Sequence, residues 1–263
     1  MIWERCNGAQ HITALKGTLM RLVESQEHVA TMSMVDTLDE QALLEDMLEG
    51  SKPPYPAYTG PNNLKKYDYL LKSPFRYPPL KWGSRFGQTH ERSLFYGATN
   101  ATTVLAESAY YRFIFWYSMH SDQSITPPTP MINTQHSMFA ADYQTERGIQ
   151  LQAPPFSEYK ASLSHPQDYS ASQTIGTAMR NANVQAFEYT SARDEQQGTC
   201  VALFTIEAMK SKKPKSITRW QCQLTADEVS FKQVGQREII RFALEWMGSC
   251  RAGLESAFLI KQV

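Results

Sequence analysis

The stretch SLFYGATNATTVLAESAYYRF (residues 93–113) decides the fold, because it joins a predicted strand directly to a predicted helix. Its first six residues, SLFYGA, carry the aromatic and apolar side chains that are typical of strands. Asn100 then offers a side chain that can cap a helix, and the residues that follow predict a helix over Ala101–Met119. The stretch therefore indicates a domain that mixes helices and strands.

Glu107 lies within this predicted helix, among apolar residues such as Leu105 and Ala109, in a part that is expected to be buried. A buried carboxylate is costly unless it is paired or takes part in chemistry. The residues alone leave two interpretations open with equal weight. Glu107 either forms an ion pair with a cation such as Arg112, or it is a functional carboxylate.

The remainder of the main body predicts more strands and helices without a regular strand–helix–strand repeat. This arrangement favours an α+β fold over a doubly wound α/β fold. A helix is expected over Asp168–Ala182, where Ile175 and Met179 supply the apolar positions. Strands are expected at MFAADYQT, IQLQAP, AFEYTSA and TCVALFTI, and a hairpin is expected from WQCQLT and VSFKQV.

The two ends of the chain are both predicted to be helical. Apolar residues at a helical period predict a first helix from Ile12 to about Met34. Thr37 and Glu40 have capping-box spacing and predict a second helix that Gly50 ends. The result is an N-terminal helical hairpin in residues 1–60, a main domain in 70–235 and a C-terminal helical tail in 236–263. The hairpin either packs on the main domain or forms a dimer or partner surface.

Composition excludes several classes of function. Lys+Arg and Asp+Glu both number 26, so the net charge is zero and direct binding to nucleic acid is not expected. The basic run KSKKPK is expected to be a solvated loop. The four cysteines form no CxxC pair and are expected to be free, and the histidines lack zinc-binding spacing. Without a signal sequence or a membrane span, the protein is expected in the cytoplasm.

Arginines beside turns and one polar strand face are the candidate binding groups. Arg76 lies in PFRYPP and Arg85 lies in GSRFG, and an arginine fork suits contact with phosphate. In a strand, Tyr189, Ser191 and Arg193 share one face by the two-residue period. That face suits a sugar or a phosphate, although a solvated strand face is the commoner reason for such a pattern.

Three pieces of the chain, taken together, resemble the RES domain, a family named for its Arg, Glu and Ser. They are RYPPLKWGSRFG, the stretch at 93–113, and AFEYTSARDEQQGTCVALF. The spacing between Arg85, Tyr96 and Glu107 is eleven residues in each interval. The resemblance covers about residues 75–231, and it makes 70–235 the catalytic domain.

The resemblance implies a toxin that destroys NAD+ and whose fold resembles that of ADP-ribosyltransferase toxins, with a mixed sheet. Members of the family release ADP-ribose-1″-phosphate with phosphate, or ADP-ribose with water. NAD+ is then a substrate, phosphate is an optional co-substrate, and neither a cofactor nor a metal is implied. The usual partner is an antitoxin with an Xre-like helical domain that plugs the active site. Self-association into a homo-oligomer is left open.

The resemblance also implies roles for the candidate residues. The catalytic set is Arg85, Tyr96, Glu107 and Ser191, in which Glu107 stabilises positive charge on the ribose. The substrate-binding set is Arg76, Tyr189 and Arg193. Two alternatives stay open: transfer of ADP-ribose to a protein target, and a non-catalytic module that binds a helical partner. For the GSRFG turn, we expect Arg85 to face the site and Phe86 to anchor the turn in the core.

Overall fold

The computed structural model describes residues 1–25, 31, 34–55, 64–77, 81–120 and 130–247. The helices are α1 (Ile2–Arg5), α2 (Leu38–Ser51), α3 (Tyr69–Lys72), α4 (Ala101–His120), α5 (Lys160–Leu163) and α6 (Ser170–Asn181). The strands are β1 (Thr13–Glu24), β2 (Phe95–Ala98), β3 (Ile132–Gln150), β4 (Ala186–Thr190), β5 (Thr199–Leu203), β6 (Ser216–Leu224), β7 (Glu228–Gln233) and β8 (Ile240–Ala243). No helix within these ranges is both long enough and apolar enough to cross a membrane.

The strands form one mixed sheet in the order β1-β2-β5-β4-β3-β6-β7-β8. Only β3 and β4 run parallel among the described pairs, and the other pairs are antiparallel. The expected α+β class with a mixed sheet is therefore confirmed. In addition, β1 pairs with β3 as well as with β2, so β1, β2, β5, β4 and β3 form a closed ring. The three remaining strands extend from β3.

The apolar core lies on the two sides of this ring. One side holds Phe187 and Tyr189 from β4, and α4 packs there with residues such as Leu105. The other side holds Phe95 from β2 and Val201 from β5. Helix α4 therefore places Glu107 against the face of the sheet that carries Tyr96, Tyr189 and Cys200, because these residues alternate with Phe95 and Val201 along their strands.

The predicted helix from Ile12 to Met34 is wrong, because Thr13–Glu24 is a strand in the sheet. Its pairing with β3 includes Leu19 opposite Ala141. Leu15 and Leu19 are four residues apart, and this spacing places two side chains on one face of either a helix or a strand. In the structure Leu15 and Leu19 pack on one side of the sheet and Met20 packs on the other. Residues 26–30, 32 and 33 lie outside the described part of the chain.

In the described part of residues 1–60, strand β1 followed by helix α2 takes the place of the expected helical hairpin. The capping box of α2 is confirmed, since Thr37 Oγ1 accepts a hydrogen bond of 3.2 Å from the Glu40 amide. The helix continues past Gly50, and its C-cap is Lys52. Its apolar side chains Leu43, Met47 and Leu48 are exposed.

The helical C-terminal tail needs a second correction. Ile240–Ala243 is a strand that pairs with β7, and Phe242 is buried against Phe231 at a ring separation of 6.1 Å. The rest of the expected tail, from 248 to 263, lies outside the described residues. MFAADYQT and the start of IQLQAP are parts of one strand, β3. The division into 1–60, 70–235 and 236–263 stays a prediction, although β1 and β8 both pair with strands of the middle part.

The other expected elements are found, except that β4 ends at Thr190, so Ser191 and Arg193 follow the strand and do not share a strand face with Tyr189. Asn100 caps α4 by accepting a hydrogen bond of 2.8 Å from the Thr103 amide. Helix α6 lies within the expected range, and both hairpins, β4–β5 and β6–β7, are antiparallel. The three cysteines in the described residues, Cys6, Cys200 and Cys222, are free and buried.

Candidate active site

Glu107 and Ser191 meet at the centre of the candidate site. The Ser191 hydroxyl donates a hydrogen bond of 2.5 Å to Glu107 Oε1. Glu107 comes from α4, and Ser191 is the first residue after β4. The carboxylate is therefore held from the sheet side by a hydroxyl. The alternative partner, Arg112, instead contacts Glu24 at 3.3 Å and the His136 ring at 2.7 Å.

The proton and both acceptor positions of the Ser191 hydroxyl take part in hydrogen bonds within the protein. Its oxygen accepts hydrogen bonds of 3.1 Å from the backbone amides of Arg193 and Asp194. A hydroxyl has one proton and two acceptor positions, so the proton of Ser191 is directed to Glu107. Ser191 thus fixes one carboxylate oxygen of Glu107, and the hydrogen bonds that described residues make to this carboxylate all go to Oε1.

Cys200 is a second side chain that contacts the Glu107 carboxylate. Its Sγ lies 3.7 Å from Glu107 Oε1, and β5 places it next to Tyr189 of β4. Burial, followed by the nearby charge of Glu107, raises the pKa of the Cys200 thiol well above its ordinary value. The thiol is therefore protonated at neutral pH and acts as a weak donor.

Tyr96 joins the strand β2 to the GSRFG turn. Its Oη lies 2.9 Å from Ser84 Oγ and accepts a hydrogen bond of 3.2 Å from the Phe86 amide. Gly83 has a φ of +72°, which a residue with a side chain rarely adopts. Burial is the main cause that raises the pKa of Tyr96, so its hydroxyl is neutral at physiological pH. The GSRFG turn is therefore built around the Tyr96 hydroxyl.

Arg85 and Arg193 hold the same loop from two sides. Arg85 Nη1 donates to the His165 carbonyl at 2.9 Å, and its Cζ lies 4.5 Å from the centroid of the Tyr169 ring. Arg193 Nη2 donates to the Pro166 carbonyl at 2.5 Å and to Tyr169 Oη at 3.2 Å. Both side chains are buried. The two guanidinium groups therefore fix residues 163–169 beside the site.

Tyr111 lies one helical turn beyond Glu107 on α4. Its ring packs edge-on against Tyr110 at 5.3 Å, and Tyr110 lies under the Arg193 guanidinium at 3.3 Å. The hydroxyl of Tyr111 is within electrostatic range of Glu107 and Arg85. Because Tyr111 is 55% exposed, it forms an accessible aromatic edge next to the carboxylate.

Tyr189, predicted as a substrate-binding residue, packs in the core beneath the site. Its ring contacts Phe86 with centroids 4.7 Å apart, and Phe86 is fully buried, as its expected anchoring role requires. Burial raises the pKa of Tyr189 well above the ordinary value. These contacts give Tyr189 a supporting position, and its role in substrate binding stays a prediction.

Arg76 is placed differently from the rest of the predicted set. Its Nη1 pairs with Glu49 at 2.5 Å, its Nε donates to the Pro53 carbonyl, and its guanidinium lies 4.9 Å from the Tyr55 ring centroid. These groups belong to α2 and the residues after it. Within the described ranges, no hydrogen bond or ion pair joins Arg76 to Glu107 or Ser191. Its assignment to the substrate stays a prediction.

Arg21 is a cation that sequence reasoning missed. Its Nη1 donates a hydrogen bond of 2.9 Å to the Tyr96 carbonyl, and burial lowers its pKa to about 10, so it is still protonated at neutral pH. It lines a cavity of about 220 Å³ together with Tyr96, Ser84 and Arg92. The incorrect helix prediction hid Arg21, because a strand period would have placed it on the same face as Leu19 and Val23.

No group of three or more metal-binding side chains comes together in the part of the chain that the structure describes. The site is instead made of one carboxylate, hydroxyl groups, tyrosine rings and arginines. Such a set can orient a sugar, stabilise positive charge with Glu107 and hold an anion with arginine.

Comparison with known proteins identifies the family to which the chain belongs. A comparison with curated proteins returned no match. Among solved structures, the chain is similar to one described as the crystal structure of the M. tuberculosis MbcT–MbcA toxin–antitoxin complex. The sequence identity is 11%, the TM-score is 0.45, and 95% of this chain and 97% of that chain are covered. The family model described as the RES domain matches residues 61–225, a range that includes Arg85, Tyr96, Glu107 and Ser191. The chain belongs to the RES domain family.

Proposed function

We propose that this protein cleaves the bond between nicotinamide and ribose in NAD+, with phosphate or water as the acceptor. The contact that carries the proposal is the hydrogen bond of 2.5 Å between Ser191 and Glu107. It brings together two residues of the family signature from separate elements and fixes a carboxylate on one side. Membership of the RES family supports the choice of NAD+ as the substrate.

The proposed chemistry needs little acid catalysis. When the bond between C1″ and the pyridinium nitrogen breaks, its electron pair leaves with nicotinamide, which departs as a neutral molecule. Positive charge then develops on the ribose, and the Glu107 carboxylate stabilises it. An oxygen of phosphate or water bonds to C1″, and the surplus proton of the acceptor passes to solvent. Ser191 serves this step by orienting Glu107.

Arg85 and Tyr96 are proposed to position the rest of the substrate. No described residue accepts a hydrogen bond from Nε or Nη2 of Arg85, so these donors can hold a phosphate of NAD+ or inorganic phosphate. Tyr96 offers a ring edge and a neutral hydroxyl beside the cavity that Arg21 lines. Arg85 lies within the GSRFG turn and the Tyr96 hydroxyl bonds to the same turn, which supports a joint role.

We further propose that the protein is the toxin of a toxin–antitoxin pair and that its partner is an antitoxin with an Xre-type helical domain. The family supports this partner, and the exposed Tyr111 beside Glu107 gives such a partner a direct route to the site. Co-expression with a candidate antitoxin that has an Xre-type helical domain should restore growth to cells that the enzyme arrests. Equal growth arrest with and without that protein would contradict the pairing.

The test of the reaction is product analysis. Purified protein is incubated with NAD+ in phosphate buffer and in phosphate-free buffer, and nicotinamide and the ribose products are followed by chromatography. ADP-ribose-1″-phosphate identifies phosphorolysis, and ADP-ribose in both buffers identifies hydrolysis. Label from NAD+ on a protein would instead support ADP-ribosyl transfer. A folded protein that releases no nicotinamide above the protein-free rate would overturn the enzyme proposal and favour the binding module.

Glu107→Gln is the decisive variant, and Glu188→Gln is its matched control. Glu188 is a buried carboxylate that accepts hydrogen bonds from Tyr143 at 2.5 Å and Gln152 at 2.7 Å on the other side of the sheet, whereas Glu107 is half-buried. Both variants neutralise a carboxylate that accepts hydrogen bonds from neighbouring side chains. We expect loss of nicotinamide release in Glu107→Gln alone, with both proteins folded by circular dichroism. Wild-type turnover in Glu107→Gln would remove Glu107 from the mechanism.

A further inference from the structure

Resting on the proposed function, we propose that Asp194 and Thr103 form a positioning pair, which holds the loop after β4 against α4 and thereby fixes Ser191 on Glu107. Neither residue belongs to the family signature that the sequence revealed. Their role is to set the geometry of the carboxylate, and neither needs to touch the substrate.

Thr103 lies in the first turn of α4, one turn before Glu107. Residues four apart lie on the same face of a helix, so Thr103 and Glu107 both face the loop after β4. Thr103 has no exposed surface. Its hydroxyl donates a hydrogen bond of 2.6 Å to Asp194 Oδ2, which fixes the helix to this loop next to the catalytic carboxylate.

Asp194 organises the loop itself. Its Oδ1 accepts a hydrogen bond of 3.0 Å from the Gln196 amide, and its Oδ2 accepts one of 3.3 Å from the Gly198 amide. The carboxylate is 8% exposed and no described lysine or arginine forms an ion pair with it. Its position at the N-terminal turn of α4 is favourable for a negative charge. One side chain therefore sets the path of the chain between β4 and β5.

Gly198 shows how closely the loop approaches the helix. A Cβ at this position would lie 1.9 Å from Thr103 Oγ1 and 2.6 Å from Asp194 Oδ2. Contacts this short are excluded, so the residue must be glycine for the Thr103–Asp194 hydrogen bond to form. This steric requirement is independent of the hydrogen bonds, and it identifies the same close contact between loop and helix.

Ser191 connects Asp194 to Glu107 by hydrogen bonds. The Asp194 amide donates to Ser191 Oγ at 3.1 Å, and Ser191 in turn donates to Glu107 Oε1 at 2.5 Å. The contacts thus form a ring that leaves α4 at Thr103, passes through Asp194 and Ser191, and returns to α4 at Glu107. A ring of this kind restricts the direction of the Ser191 proton, because each member holds the next.

Thr103→Val tests the pair, since valine keeps the shape and removes only the hydroxyl. We expect kcat for nicotinamide release to fall about tenfold or more, the effect of losing one hydrogen bond to a charged group, while KM for NAD+ changes by less than about twofold. Thr103→Ser restores the hydroxyl and should recover most of kcat. The matched control is Thr174→Val on α6, where the hydroxyl bonds only to Ser170 of its own helix. Asp194→Asn provides a second test if Thr103→Val fails to fold.

A second measurement is independent of turnover. The 13C chemical shift of the Glu107 carboxyl carbon, measured at one fixed pH, should change in Thr103→Val and stay unchanged in Thr174→Val. Wild-type kcat and an unchanged Glu107 chemical shift in Thr103→Val would overturn the positioning role and leave the proposed reaction intact. A wild-type protein that releases no nicotinamide would defeat the proposed reaction instead, and the Glu107 chemical shift would still decide whether the pair positions the carboxylate.

Discussion

Ser191 Oγ lies 2.5 Å from Glu107 Oε1, although the two residues are 84 positions apart in the chain. The contact joins the end of a strand to the middle of a helix across the face of the sheet. The same serine oxygen also accepts hydrogen bonds from two backbone amides, so its own proton points to Glu107. We therefore expect Ser191 to orient the Glu107 carboxylate and not to act as a nucleophile.

Ser191→Ala should lower kcat for nicotinamide release by about 10- to 100-fold, because a hydrogen bond to a charged group is worth roughly 1.5–3 kcal/mol. Ser164→Ala is the control, since its hydroxyl donates to the neighbouring Thr190 carbonyl and does not reach Glu107. Steady-state kinetics on both variants check the prediction. Equal losses in the two variants would show that general damage to this region explains the effect.

Phe86→Ala should destabilise the protein by about 3–5 kcal/mol, because the side chain is fully buried between Phe187 and Tyr189. Arg85→Ala should act mainly on NAD+ turnover and lose about 1.5–3 kcal/mol of stability with its hydrogen bond to the His165 carbonyl. Urea denaturation combined with kinetics separates the two. A larger stability loss in Arg85→Ala than in Phe86→Ala would reverse the assignment of these side chains.

Arg21→Gln should raise KM for NAD+, whereas Arg76→Gln should leave KM close to the wild-type value. Arg21 lines the cavity beside Tyr96, and Arg76 is committed to Glu49 and Pro53. Initial rates over a range of NAD+ concentrations test both variants. A raised KM in Arg76→Gln would support the sequence-based assignment of that residue to the substrate.

His136 should make stability depend on pH between about 4 and 6.5. Burial first, and the nearby Arg112 charge second, lower the pKa of His136 to about 4. The unfolded chain then binds more protons than the folded chain in this window, so stability is full above pH 6.5 and falls as pH drops toward 4. The loss is on the order of 3 kcal/mol. In His136→Gln the slope of unfolding free energy against pH should flatten, and in the exposed control His90→Gln it should not.

The sequence predicted the candidate site better than it predicted the ends of the fold. The strand–cap–helix order at 93–120 and the β4–β5 hairpin follow from local chemistry, whereas the family resemblance is what grouped Glu107 with Ser191. Strand β1 could not be identified, because Leu15 and Leu19 satisfy both the helical and the strand period. Gly17 in the middle of the segment was a sign of close packing against another strand, because a Cβ at this position would lie 2.6 Å from the Tyr143 hydroxyl of β3.

The different contacts of the arginines could not be predicted from the sequence either. Arg76 and Arg85 look equivalent in composition, since both lie beside turns and both suit an anion. Only the tertiary structure gives Arg76 a carboxylate partner on α2 and brings Arg21 of β1 to Tyr96. Long-range pairing decided this difference, and one sequence does not record which distant strand will lie beside which turn.

The closed ring of strands has a practical consequence for anyone who wishes to shorten this protein. Strand β1 lies before the matched family segment, yet it covers one long edge of β3 and fills the core with Leu15 and Leu19. A fragment that starts at residue 61 would leave that edge open and expose the apolar surface next to it. Open strand edges pair with other chains, so we expect such a fragment to aggregate.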